Sequence, residues 1–120
     1  MDVTDSTSVK SGARVLETNW GRLDILIGNA GFLARYEKTL DGDEDEWWDS
    51  FEVDVRGSYI VAKSFLPLIP LNGGDKTAIN MSSTGVSHFH TGGSGYQISK
   101  FALLRFTEYL MAEYTDQGGM

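Results

Sequence analysis

Two short apolar runs constrain this 120-residue chain more than any other feature. Leu23 to Ile27 is closed by the small-residue turn Gly28-Asn29-Ala30-Gly31, and Thr77 to Met81 opens into a Ser-, Thr- and Gly-rich loop over residues 82–95. Runs this short, bounded in this way, read as strands buried on both faces, the pattern of a parallel sheet. The stretches around them have helical spacing instead. Val9, Ala13, Leu16 and Trp20 fall on one helical face, with Asp5 or Ser6 as a cap and Gly21 as a stop. Trp48, Phe51, Val55, Tyr59, Ala62 and Leu66 predict a second helix that ends near Pro67, because the residue before proline disfavours the helical conformation. Pro70 and Asn72-Gly73-Gly74-Asp75 predict a turn, and a third helix starts near Tyr96, carries Leu103, Thr107, Leu110 and Tyr114 on one face, and fades at Gly118-Gly119.

The order helix, strand, helix, strand, helix predicts an α/β chain of βαβ units, with a parallel sheet and helices on both faces. Residues 1–120 form one domain without internal repeats. Two strands make a poor sheet, since strands of this type sit in sheets of about five or six. The chain therefore reads as part of something larger.

Composition removes several function classes. A net charge of −7 repels phosphate backbones, and the ten Lys and Arg residues are scattered along the sequence, so nucleic-acid binding is not expected. No apolar run reaches about 18 residues and the start lacks a secretory pattern, so no membrane span or signal is expected. The absence of cysteine fits the cytoplasm. Asn80-Met81-Ser82 matches a glycosylation sequon by chance inside a strand, and the cluster Asp41, Asp43, Glu44, Asp45 and Glu46 reads as the solvated start of a helix.

The residues that carry chemistry form a constellation. The second strand ends in Ser82-Ser83, Tyr96 follows Ser83 by thirteen residues, and Lys100 follows Tyr96 by four. Moving a proton at a carbinol oxygen needs a group poised near the working pH. A free phenol, with a pKa of about 10, is too weak a base, but a cation within about 4–6 Å favours the phenolate. Positions i and i+4 share a helical face, so Lys100 can sit beside Tyr96. A serine at a strand end can hold the substrate oxygen where open α/β sheets bind ligands. Tyr59 and Lys63 have the same separation, but Tyr59 is on an apolar face and no serine-bearing strand end precedes it, so Tyr59 reads as core and Lys63 as surface. His88 and His90, two apart with no third ligand nearby, make a poor metal site and read instead as lining a substrate pocket or as exposed.

Asn29-Ala30-Gly31 after a strand, Ser83, and Tyr96-x-x-Ser99-Lys100 together resemble the short-chain dehydrogenase/reductase family, over essentially the whole chain. The resemblance implies a Rossmann-like doubly wound parallel sheet, here partial, without the N-terminal dinucleotide-binding half and the C-terminal strands. It also implies an NAD- or NADP-dependent oxidoreductase transferring hydride to or from an alcohol or carbonyl substrate. Under it, Tyr96 is the general acid/base, Lys100 favours the phenolate and holds the nicotinamide ribose, and Ser83 orients the substrate oxygen. Asn29, Ala30 and Gly31 approach the cofactor ribose, and Asp2 and Val3 flank the adenine. Ser99 is a small packing residue. Asp54 stands where the family has an Asn supporting a water chain to the lysine. An Asp lacks the amide donor and carries charge, so either the relay is altered or Asp54 supplies its backbone carbonyl alone. Family members dimerise through two long helices, here residues 45–66 and 96–114. A second reading is a truncated, non-catalytic chain that acts through helix-mediated association.

Overall fold

The computed structural model describes residues 1–69 and 76–114. Helix α1 spans Ser6–Trp20 and is capped as expected: the Asp5 carboxylate accepts from the Thr7 and Ser8 N–H groups, and Gly21 closes the helix in the left-handed region at φ 74°. Strand β1, Ile25–Gly28, pairs in parallel with strand β2, Thr77–Asn80, with Ile25 opposite Thr77 and Gly28 opposite Asn80. Between them run helix α2, Glu44–Phe51, a π-helical segment, Glu52–Gly57, and helix α3, Ser58–Phe65. Helix α4, Ser94–Tyr114, follows β2. The chain is thus an α/β unit with a small parallel sheet, in the predicted order. The turn expected over Pro70 and residues 72–75, and the fading at Gly118-Gly119, lie outside the described residues.

The core explains where the helices sit. Val9 and Ala13 of α1 pack with Ile60, Val61 and Phe65 of α3, and Leu26 of β1 and Val3 join this cluster. Leu26 and Ala78 face the helices; the other sheet face carries Ile25, Ile27 and Ile79, all exposed. Burial of both strands on both faces is therefore not met among the described residues, because α1, α3 and α4 cover one side only. Three further expectations change. Trp20 points to solvent, since the core ends at Leu16. Residues 29–38 follow an irregular path without the predicted tight turn. Short 3₁₀ segments, Thr39–Asp41 and Thr84–Val86, interrupt the predicted connections. Helix α4 starts at Ser94, near Tyr96 as expected.

The largest departure is in the middle helix. Its buried positions are Ser50, Asp54, Gly57, Ile60, Val61, Ala62 and Phe65; Ala62 of the predicted face is among them, whereas Trp48 and Tyr59 of that face are more than half exposed. Tyr59 is therefore not core. The extra residue of the π segment shifts the helical phase, and Ser50, Asp54 and Gly57 turn inward ahead of Ile60, Val61 and Phe65. The large aromatic stripe lies outside, where Trp48 stacks on Phe51 at 5.3 Å and Tyr59 meets Phe106 of α4 edge-on at 6.3 Å. Lys63 is exposed, as expected.

Candidate active site

The end of β2, the π segment and the start of α4 converge on Lys100. Its side chain is 4% exposed, although Lys is among the residues least often buried. The Lys100 ammonium donates to the Met81 carbonyl at 3.0 Å, just past the end of β2. It lies 3.7 Å from Asp54 Oδ1 and 5.8 Å from the centroid of the Tyr96 ring. The helix geometry expected of positions 96 and 100 is therefore realised. Asp54 is fully buried, and its Oδ1 has the Lys100 charge beside it but accepts no hydrogen bond.

Ser99 is more than a spacer. Its buried hydroxyl donates to Asp54 Oδ2 at 2.6 Å and lies 2.8 Å from the Tyr96 carbonyl. The sequence offered one sign of this link: a serine next to the lysine on a helix, with an unexplained acid on the preceding one. Gly31 completes the pocket. A Cβ there would come within 3.4 Å of Lys100 Nζ and 3.5 Å of Asp54 Oδ1, so glycine leaves the approach to the lysine open. Asn29 and Ala30, beside it, are exposed.

The other expected site residues are placed less directly. The Ser83 hydroxyl accepts from the Gly85 N–H at 3.1 Å and caps a short turn. Among the described residues the Tyr96 hydroxyl has no hydrogen-bond partner. Asp2 turns back on its own segment, where the Thr4 N–H and then the Thr4 hydroxyl hold its carboxyl below the usual range. Val3 packs into the core. His90 lines a cavity of about 600 Å³ with Val86, Phe89, Ile98 and Phe101, whereas His88 contacts Ser87 and the Thr84 carbonyl. The sequon residue Asn80 is half-buried and donates to Thr107 Oγ1 at 2.9 Å.

The segment that carries Tyr96 is anchored by residues that sequence reasoning did not single out. Trp47 Nε1 donates to Ser94 Oγ at 3.0 Å, and Thr39 Oγ1 reaches the same hydroxyl at 3.1 Å. Gly95 is buried against Trp47, where a Cβ would lie 3.1 Å from both Trp47 Cδ1 and the Trp47 carbonyl oxygen. Gly95→Ala should therefore destabilise the fold by about 1–3 kcal/mol through overpacking. An unchanged denaturant midpoint would show that the start of α4 is not docked there.

Arg35 ties the segment after Gly31 to α2. Its N–H donates to Glu46 Oε1 at 2.8 Å and its guanidinium to Oε2 at 3.2 Å. The backbone bond first, then the guanidinium bond, hold the Glu46 carboxyl below its ordinary value of 4.5, and Glu46 raises Arg35 in return. A carboxyl depressed in the folded state stabilises above its ordinary value and loses that contribution as the pH falls through the lower, folded value. This tether should hold above pH 4.5 and release in more acidic solution. The Arg35 amide resonance reads it; a signal that does not move on acidification would rule the tether out.

Comparisons with known proteins bear on the family and the fold. Residues 1–119 match the family model described as enoyl-(acyl carrier protein) reductase. The chain is 41% identical over 118 residues to a short chain dehydrogenase of Monascus purpureus, covering 98% of this chain and 40% of that protein. A short-chain dehydrogenase structure from Streptomyces avermitilis matches at 30% identity and TM-score 0.87, over 98% of this chain and 43% of its own. The alcohol dehydrogenase of the archaeon Thermococcus sibiricus, solved with 5-hydroxy-NADP, matches at 25% identity and TM-score 0.87, over 97% and 48%. The chain spans about 40% of the length of the curated relatives it matches first.

Proposed function

The chain belongs to the short-chain dehydrogenase/reductase family, and on that premise we propose that it serves NAD(P)-dependent hydride transfer between a nicotinamide cofactor and an alcohol or carbonyl substrate. We take residues 1–120 as one partial Rossmann-like domain. One observation carries the reading: a buried lysine is fixed between a strand-end carbonyl and a buried carboxylate, directly beside the tyrosine four residues earlier.

The residues present fit such a cofactor. An ammonium has three donors, and the Met81 carbonyl takes one, so donors remain to hold a ribose diol in the space left open by Gly31. Asn29, Ala30 and Gly31 would border that space, and Asp2 and Val3 would flank the adenine. When bound, the nicotinamide supplies or accepts the hydride. Tyr96 gives a proton to the carbonyl oxygen in reduction and takes it from the alcohol in oxidation. Ser83 holds that oxygen against the phenol by hydrogen bonding. Lys100 keeps a positive charge beside Tyr96, and Asp54, through Ser99 and Lys100, fixes the array.

The test is to mix the protein with NADH or NADPH and a panel of ketones and aldehydes, following loss of the reduced cofactor. Absence of both cofactor binding and turnover across the panel overturns the reading. The bare apolar sheet face with Ile25, Ile27 and Ile79 favours the second reading, a non-catalytic association module; cofactor binding by the 120-residue chain itself would remove it. Self-association through residues 45–66 and 96–114 is supported by the exposed Trp48, Tyr59, Phe101 and Tyr109 on those helices. The absence of cysteine supports a cytoplasmic setting. Among the described residues no helix is long and apolar enough to cross a membrane.

A further inference from the structure

Ser83, after the end of β2, and Tyr96, in the first turn of α4, are joined by residues 84–93, which are irregular apart from the short turn Thr84–Val86. Groups that act on one substrate atom must be held within about 0.5 Å of the productive geometry by packed neighbours. A loop by itself does not hold two side chains to that tolerance. Gln97, the residue after Tyr96, bridges it. Gln97 Cγ packs so closely on Gly85 that a Cβ there would lie 3.0 Å from it, and 3.5 Å from Ser83 Oγ. Gln97 Oε1 accepts from the His90 N–H at a long 3.5 Å, and Nε2 would lie 3.7 Å from a Cβ on Gly93. This one half-buried side chain therefore meets the loop at its start, its middle and its end.

The contact on Gly85 reaches Ser83 directly. The Gly85 N–H is the group that the Ser83 hydroxyl accepts from, at 3.1 Å. With that acceptor position filled, the hydroxyl still has its own proton to donate to a substrate oxygen. The hydroxyl follows Gly85, so the methylene packed on Gly85 sets its distance from Tyr96, the next residue on the helix. The far end of the loop is fixed from both sides. A Cβ on Gly93 would lie 3.3 Å from Tyr36 Cε1, opposite Gln97, and the Glu37 N–H donates to the Gly92 carbonyl at 2.9 Å. Gly92 turns there in the left-handed region at φ 91°, which glycine adopts at little cost. The return into α4 is thus clamped between Tyr36 and Gln97, and the Ser83 end depends on the Gly85 contact. We propose that Gln97 is a positioning residue that holds the Ser83 hydroxyl toward the substrate oxygen by packing on Gly85. This rests on the hydride-transfer reading, in which Ser83 and Tyr96 share that oxygen. A side chain that only steadied the start of α4 would have no link to Ser83.

The experiment is a double-mutant cycle in kcat and KM over Gln97→Ala, Ser83→Ala and the pair, with hydrogen exchange of the Gly85 amide followed by NMR in the parent chain and in Gln97→Ala. Gln97→Ala should lower kcat by about 10–10²-fold, the scale of a misplacement of about 1 Å, while affinity for NADH or NADPH holds and exchange at Gly85 speeds up. On top of Ser83→Ala the same change should cost less than about twofold, because residues acting through one contact are not additive. Alanine is the better helix former, so the start of α4 should survive the substitution. Gln97→Met, which keeps a methylene chain on Gly85, should retain most of the turnover. An unchanged kcat, equal losses from Gln97→Ala with and without Ser83, or unchanged exchange at Gly85 would each overturn the proposal and leave the hydride-transfer reading standing. A parent chain with neither turnover nor cofactor binding, yet with faster Gly85 exchange in Gln97→Ala, would instead overturn that reading, and the proposal with it.

Discussion

Tyr96→Phe should lower turnover by about 10²–10⁴-fold, the range that a positioned general acid/base contributes, with cofactor affinity unchanged. The substitution removes only the phenolic oxygen. That oxygen has no hydrogen-bond partner among the described residues, so the fold loses nothing measurable. Tyr59→Phe is the internal control. Lys63 lies 5.8 Å from the Tyr59 ring centroid, the same distance as Lys100 from that of Tyr96. Local geometry therefore does not distinguish the pairs; their surroundings do. Lys63 is exposed on an outer helix face, whereas Lys100 is buried beside Asp54 at the end of β2. Tyr59→Phe should leave turnover unchanged. Steady-state kinetics on both variants checks this, and a Tyr96→Phe protein that turns over at the original rate would end the assignment.

Asp54→Ala should be the most destabilising single change, by about 3–5 kcal/mol, because it leaves a buried ammonium without its counter-charge. It also strips the Ser99 hydroxyl of its acceptor at 2.6 Å. Folded domains are stable by only about 5–15 kcal/mol, so this variant would lose a large part of its margin. Asp54→Asn also removes the counter-charge but keeps the shape, an acceptor for Ser99 and a polar atom beside Lys100, and should cost less. Denaturant midpoints of the two variants measure the difference. If Asp54→Ala unfolds within about 1 kcal/mol of the parent chain, Lys100 and Asp54 do not form a buried pair and the site as described is wrong.

Comparing sequence with structure shows which kind of information each holds. The order of elements was legible because strands and helices have different periods, and α1 could be bounded at both ends because Asp5 and Gly21 act on neighbouring backbone. The candidate lysine and tyrosine were legible for the same reason: four residues on a helix fix a shared face whatever surrounds it. The buried face of the middle helix was not. Trp48 and Tyr59 were placed on the buried face, but the π segment changed the phase, and Ser50, Asp54 and Gly57 turn inward ahead of Ile60, Val61 and Phe65.

The chain's own sequence thus determined its local structure and the spacing of its chemical groups, since both depend on contacts within a few residues. Tertiary structure decided everything that depends on groups brought together from afar. It turned Asp54 from a departure at a family position into the buried partner of Lys100 and Ser99, 45 residues away in sequence from the latter. It also set Gln97 against both Gly85 and Gly93, at the two ends of the loop that follows Ser83. Packing acts through space, so only the docking of that loop on α4 could bring those residues together.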